Sequence, residues 1–366
     1  MPLRSLISAA VSGPASNIKR LEHKDKMKSL LKITGFTAIL IIITVILGFF
    51  FDGGIWYTRG FISERDARLA GFEAEQPGQI DVICVGNSLG ICGVDPMYLY
   101  KNYGITSYNI GCEMQMPVET YYAIQRAIKD QPVKVVLWEA NNISKHHKNL
   151  DAYISRLAEA IRYRSAYIKY HYIWKNIADG YIQRKYFKGF SVNEIVKPYT
   201  GGEYYDYSDT HVDVFAREQY YYFSKIKELC DDNGIELILY GVPSPVSYNI
   251  RMHKGIEKLA EENGVAFLDG NSDTDNLHID WEKDTFDEGD HLNLFGSAKM
   301  TDYLAQYMIS NCDLPDHRGD PAFRSWNELI PAYEQEIKDM EGTGYPEIEK
   351  KRKKEKKNRY NYKNAE

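Results

Sequence analysis

Nineteen consecutive residues without a charge, 33–51 (ITGFTAILIIITVILGFFF), constrain this 366-residue chain more than any other feature. As a helix rising about 1.5 Å per residue, the run nearly matches a hydrocarbon core of about 30 Å. It is apolar on every face, unlike the one-sided helix that lines a soluble core. Ahead of it, residues 1–32 carry Arg4, Lys19, Arg20, Lys24, Lys26, Lys28 and Lys32 against Glu22 and Asp25, a net charge of +5. Basic flanks stay in the cytoplasm, so the expectation is a single-pass plasma-membrane protein with residues 1–32 inside and the chain from Asp52 onward outside. Signal peptides are cleaved after small residues. Phe49, Phe50, Phe51 and Asp52 close this run, which predicts an uncleaved anchor.

Charge and cysteine content narrow the function classes. The formal net charge is −6, but residues 350–366 hold nine Lys or Arg against Glu355 and Glu366, so residues 33–349 hold −18. An acidic body repels phosphate polymers, which excludes a globular nucleic-acid binder. The basic 350–366 tail is low in complexity and is expected to be disordered, meeting anionic wall polymers or lipid headgroups or simply staying solvated. Five cysteines (Cys84, Cys92, Cys112, Cys230, Cys312) at unrelated spacings give no CxxC pair and no disulfide framework. Cys84 lies in an apolar run and reads as a small core residue.

Beyond the anchor, residues 52–78 are polar in their greater part and are expected as a stalk or first helix. Apolar runs then recur at 80–85 (IDVICV), 106–110, 133–138 (VKVVLW), 235–240 (IELILY) and 265–268 (VAFL). Their continuous hydrophobicity predicts parallel strands buried on both faces. Helical spacing at 118–128 and 215–229 alternates with them, with Tyr222, Ile226 and Leu229 on one face and Gly234 beyond the second helix. The reading is an α/β domain over 79–315, a doubly wound parallel sheet with its site beyond the carboxyl ends of the strands, followed by an extension at 316–349. An insertion at 145–210 is dense in tyrosines: Tyr163, Tyr167, Tyr170, Tyr172, Tyr181 and Tyr186 precede a turn-rich 199–209. Those rings either pack a helical subdomain or form a lid suited to sugar faces.

Directly after the first strand stands Gly86-Asn87-Ser88-Leu89-Gly90, a G-x-S-x-G pattern whose glycines permit the sharp strand-to-helix turn that exposes a serine oxygen. A serine hydroxyl needs a base, and imidazole with an orienting carboxylate is the usual one. Of nine histidines, His291 has an acidic cluster beside it: Asp287-Glu288-Gly289-Asp290-His291-Leu292-Asn293 precedes Gly296 and a helix at 298–308. His146, His147, His171, His211 and His317 lie in polar stretches and are expected at the surface. Metal binding by His291 with Asp287 and Asp290 lacks a second pair of ligands at metal spacing, and no cofactor or metal is expected. Gly111, ending the second strand, and Asn141 and Asn142, following the third, are candidate donors to an oxyanion.

These blocks together resemble the SGNH (GDSL-like) hydrolase superfamily, over residues 80–310, on VGNSLG, YNIG, LWEANN and DEGDHLNLFG. The closest likeness is to its membrane-anchored bacterial branch, related to the D-alanyl-lipoteichoic acid biosynthesis protein and the alginate acetylation proteins. The resemblance implies a flavodoxin-like three-layer sandwich and chemistry through an acyl-serine. It implies Ser88 as nucleophile, His291 as base, and Gly111, Asn141 and the Ser88 backbone N–H as oxyanion donors. Three departures stand out. The family's G-D-S is Gly86-Asn87-Ser88 here. Its G-x-N is Ala140-Asn141-Asn142, which makes Asn142 a second candidate donor. Its acid, three residues before the histidine, would fall on Glu288, with Asp287 and Asp290 to either side. Adjacent side chains of an extended chain point apart, which favours Asp287 over Asp290. An α/β-hydrolase shares G-x-S-x-G but places the elbow after several strands and its acid far from the histidine. The expected function is an esterase or O-acyltransferase acting on envelope glycan or a teichoic-acid-like polymer, beside a multi-pass membrane O-acyltransferase. A non-catalytic glycan-binding or assembly factor and a simple carbohydrate deacetylase are the alternatives.

Overall fold

A computed structural model describes residues 14–144 and 149–340, in two units divided after Phe51. His146, His147, the start of the basic arm and the 350–366 tail lie outside the described residues.

The first unit is one helix, Pro14–Phe50. Thr34, Thr37 and Thr44, the hydroxyls of the apolar run, each donate to the carbonyl four residues back at 2.8–2.9 Å. No hydroxyl hydrogen is thereby left for a hydrocarbon surrounding to strand. The helix is long and apolar enough to cross a membrane, a length and composition that a signal sequence shares.

The second unit is built on five parallel strands in the order β2-β1-β3-β4-β5: β1 Val82–Val85, β2 Ser107–Asn109, β3 Val135–Glu139, β4 Glu236–Gly241 and β5 Ala266–Asp269. Each falls within or one residue beyond its expected run. The outer residues Ile80 and Val133 are buried without joining the ladder, because Asp81 intervenes: its N–H bonds Thr106 O and its carbonyl takes the N–H groups of Lys134 and Val135. Helices cover both faces in a three-layer α/β fold, with Trp138, Tyr240, Phe223 and Ile226 among the core side chains. The direction in which strands are added to the sheet reverses between β1 and β3, parallel neighbours that pair from Val82↔Val135 to Val85↔Trp138. A crevice opens at the carboxyl ends of strands at such a switch point, so Gly86, Gly111 and Asn141 all emerge near it.

Segments expected to stand apart are built into this body. Of the stalk or first helix expected over 52–78, helices form, Gly53–Thr58 and Glu64–Glu73, the latter burying Leu69 and Phe72 in the core. The insertion forms helices Asn149–Arg164, Ala166–Tyr170 and Ile173–Asp179, and Tyr163, Tyr170 and Tyr186 are buried packing residues while Tyr167 is exposed. In the extension, helix Arg324–Met340 buries Trp326 and Tyr333, whose hydroxyl donates to Asp95 Oδ2 at 2.6 Å. His317, expected at the surface, is half-buried and bonds Asp81 through Nε2 at 2.6 Å. His171 and His211 are exposed as expected.

Candidate active site

The β1 strand ends at Val85, and Ser88 opens helix Ser88–Gly93 three residues later. Such an abrupt turn requires glycine. Gly86 has φ +142°, and a Cβ there would sit 2.6 Å from Glu139 Cβ; one at Gly90 would sit 2.9 Å from the same atom. Both motif glycines thus let the turn rest on the side chain that ends β3. Asn87 caps the helix by accepting Leu89 N–H at 3.0 Å. Its Nδ2 donates to Asn141 Oδ1 at 2.8 Å, a bond an aspartate in this position cannot donate. Asn87 and Asn141 are therefore clasped, which ties the turn after β1 to the end of β3.

Across the crevice, the 287–291 loop brings imidazole to hydroxyl. His291 Nε2 lies 2.8 Å from Ser88 Oγ, and His291 Nδ1 lies 2.6 Å from Asp287 Oδ2. With Nδ1 protonated, it donates to the carboxylate and Nε2 accepts the serine proton. Asp287 Oδ1 also accepts the His291 backbone N–H at 2.7 Å, so one carboxylate holds ring and backbone together. That chelate explains the four-residue spacing. Glu288 and Gly289 have φ +64° and +96°, which folds the loop back on itself and leaves Glu288 exposed. Asp290 Oδ2 stands 3.5 Å from Nδ1 while its Oδ1 accepts Ser247 Oγ–H at 2.7 Å. Phe286 stacks on the imidazole at 5.5 Å. Burial disfavours the imidazolium, but the hydrogen bond and charge of Asp287, aided by Asp290 and Glu139, outweigh it and raise the His291 pKa above its ordinary value. Asp287, Asp290 and His291 also offer ligand atoms close enough together for a metal ion. Both ring nitrogens, however, are already engaged.

The candidate donors to an oxyanion are placed less uniformly. Ser88 N–H sits at the first position of its helix, where no intrahelical acceptor exists. Gly111 N–H donates to Asn109 Oδ1 at 3.1 Å. Asn141 Nδ2 donates to Ser247 O at 2.8 Å. Asn142 is a buried latch: its Oδ1 takes Trp138 Nε1 at 2.8 Å and Thr120 Oγ1 at 3.2 Å, and its Nδ2 donates to Gln115 O at 2.5 Å. Sequence reasoning passed over Glu139 and the loop after β4. Buried Glu139 accepts the backbone N–H groups of Asn141 and Asn142 and the Tyr248 hydroxyl, at 2.8, 3.2 and 2.7 Å. Ser247 reaches both Asn141 and Asp290. The available signal was position, since both lie at the carboxyl ends of strands beside the switch point.

Fold and side chains together define a hydroxyl–imidazole–carboxylate chain on the carboxyl edge of a parallel α/β sheet. No protein-family model matches the chain, and no curated protein does. Among solved structures it is similar to a protein provisionally described as an acylhydrolase from Bacteroides fragilis, at 14% identity over 64% of this chain and 90% of that one, with a TM-score of 0.35. It is similar also to a protein provisionally described as a lipolytic member of the G-D-S-L family from Desulfitobacterium hafniense, at 14% identity over 62% and 98%, TM-score 0.34. An acetyl xylan esterase aligns at 14% identity over 64% and 100%, TM-score 0.33.

Proposed function

We propose that this chain is a membrane-anchored serine esterase or O-acyltransferase, with its domain outside the cell, acting on an envelope polysaccharide or teichoic-acid-like polymer. The observation that carries the reading is the continuous Ser88–His291–Asp287 hydrogen-bond chain, with contacts of 2.8 and 2.6 Å. Ser88 Oγ attacks an acyl carbonyl as His291 Nε2 takes its proton, and the carbonyl oxygen gathers negative charge. Ser88 N–H is the first donor to that oxygen. Gly111 N–H joins by exchanging Asn109 Oδ1 for it, and the clasped Asn141 amide is the third. The imidazolium then protonates the departing alcohol, leaving an acyl-serine. A sugar hydroxyl or water, deprotonated by His291, takes the acyl group and restores Ser88. A multi-pass membrane O-acyltransferase is the partner that would load or unload such an intermediate, and the 33–51 helix would hold the two in one bilayer.

A second reading has its own support. Gly111 N–H and the Asn141 amide both have protein partners, the arrangement expected of a non-catalytic glycan-binding factor. A fluorophosphonate probe and an aryl acetate separate the two. The enzyme reading expects covalent labelling at Ser88 and turnover that Ser88→Ala lowers by at least about 10³-fold, with the fold retained by circular dichroism. Absence of labelling, or turnover indifferent to Ser88→Ala, removes that serine from the mechanism.

A further inference from the structure

Beside the acid–histidine loop lies a cavity of about 770 Å³ that the chemistry above does not use. Its wall comes from the end of the insertion and from the segments after β5. Tyr199, Tyr204 and Trp281 form its aromatic side. Trp281 stands between the other two, 5.7 Å from Tyr199 at an interplanar angle of 69° and 5.9 Å from Tyr204 at 85°. Tyr207 lines the same cavity and is 62% exposed. Tyr204 also packs against the core, but none of these four rings is fully buried, and each keeps surface open to the cavity. Apart from Ile279 and the buried Tyr205 the remaining lining is polar, and among the described residues its charged members are Glu203 and Asp273, with no lysine or arginine.

Two connections tie the cavity to the site. Lys197 N–H donates to Thr285 O at 3.0 Å, Lys197 O accepts Glu288 N–H at 3.2 Å, and Tyr199 N–H donates to Trp281 O at 3.0 Å, so the aromatic strip is stitched along the loop that carries Asp287. Gly289 lies against the Tyr199 ring so closely that a Cβ there would be 2.9 Å from it.

We propose that this cavity is a subsite for an uncharged glycan. Ring faces suit the C–H faces of sugars, while hydroxyl, amide and carboxylate groups around them accept sugar hydroxyls. The volume lies within the range, about 300–1,000 Å³, that encloses a ligand of several rings. Two carboxylates without a lining cation repel a phosphate polymer. The inference rests on the proposed function for its meaning: it makes the acyl donor or acceptor a neutral polysaccharide and not a teichoic-acid-like chain.

The test is a binding measurement on the full chain in detergent, carrying Ser88→Ala so that no turnover intervenes. Isothermal titration with cellohexaose and with the hexamer of N-acetylglucosamine is compared with poly(glycerol phosphate). Saturable binding of a neutral hexasaccharide is expected, weakened at least tenfold by Trp281→Ala and by Tyr207→Ala, with no binding of poly(glycerol phosphate). The Tyr207 side chain is exposed, so its removal reads binding without threatening the fold. The proposal is overturned if neither hexasaccharide binds, if poly(glycerol phosphate) binds as well as they do, or if both substitutions leave affinity unchanged. Glycan binding without Ser88 labelling would sink the esterase and keep the subsite; labelling without glycan binding would do the reverse.

Discussion

Asp287 decides how His291 is held. One carboxylate oxygen takes the ring N–H and the other the backbone N–H, so its removal frees the imidazole to rotate as well as to change charge. Asp287→Asn is expected to lower kcat for an aryl acetate by about 10³- to 10⁴-fold. The sign of the pH effect follows from the causes of the shift. With Asp287 present, the imidazole pKa is raised, so the base form appears only as pH climbs through a value above 6.5. Without it, burial dominates and the rising limb of kcat/KM moves to lower pH. A limb that stays in place would mean another group sets it. Glu288→Gln, at an exposed position whose backbone alone is engaged, is expected to leave rate and limb unchanged. That Ser88, His291 and Asp287 would lie together could be read from residue type and spacing, and their side chains do meet. The clasp of Asn87 to Asn141 and the latch made by Asn142 were not legible, since nothing local says which way an amide will face once β1, β3 and the loop after β4 are assembled.

Secondary-structure elements show the same division. The five apolar runs revealed every strand among the described residues, because burial on both faces leaves a continuous signature. Their hydrogen-bonded limits were not legible, because a buried Ile80 and a ladder Val82 differ only in what stands opposite. Of the stalk or first helix expected before β1, the helix is what forms, and its packing was illegible for a related reason: Glu64–Glu73 reads as polar, yet Asp66 and Arg68 are buried, Asp66 against Lys169 and Arg162 and Arg68 against Glu113. The β1 turn offers a test of the element itself. Gly86→Ala must place a side chain at φ +142° and into Glu139, so thermal unfolding is expected to show a loss of about 2 kcal/mol or more. Retained stability with full activity would show that the turn has another route over the end of β3.

At the scale of the whole molecule, the extension after residue 316 closes the fold. Tyr333 donates to Asp95, whose carboxylate also accepts Met97 and Tyr98 N–H, each at about 3 Å, far from water. Burial outweighs those bonds and pushes the Asp95 pKa up to about 6, above its ordinary value of 3.8. The folded chain therefore holds a proton the unfolded chain releases between those values. Its contribution to stability is full below pH 4 and declines as pH rises through 6. Asp95→Asn, able to keep the caps and to donate back to the Tyr333 oxygen, is expected to flatten that part of the unfolding profile; an unchanged slope would assign it to other groups.

The hydroxyl and imidazole that meet at 2.8 Å are 203 positions apart along the chain. A ribosome makes the serine long before its partner, and every strand and crossover between them must be in place before they touch. For most of its synthesis, then, the nascent domain carries an unarmed serine, and a fragment clipped anywhere before residue 291 would be chemically silent even if its sheet had formed.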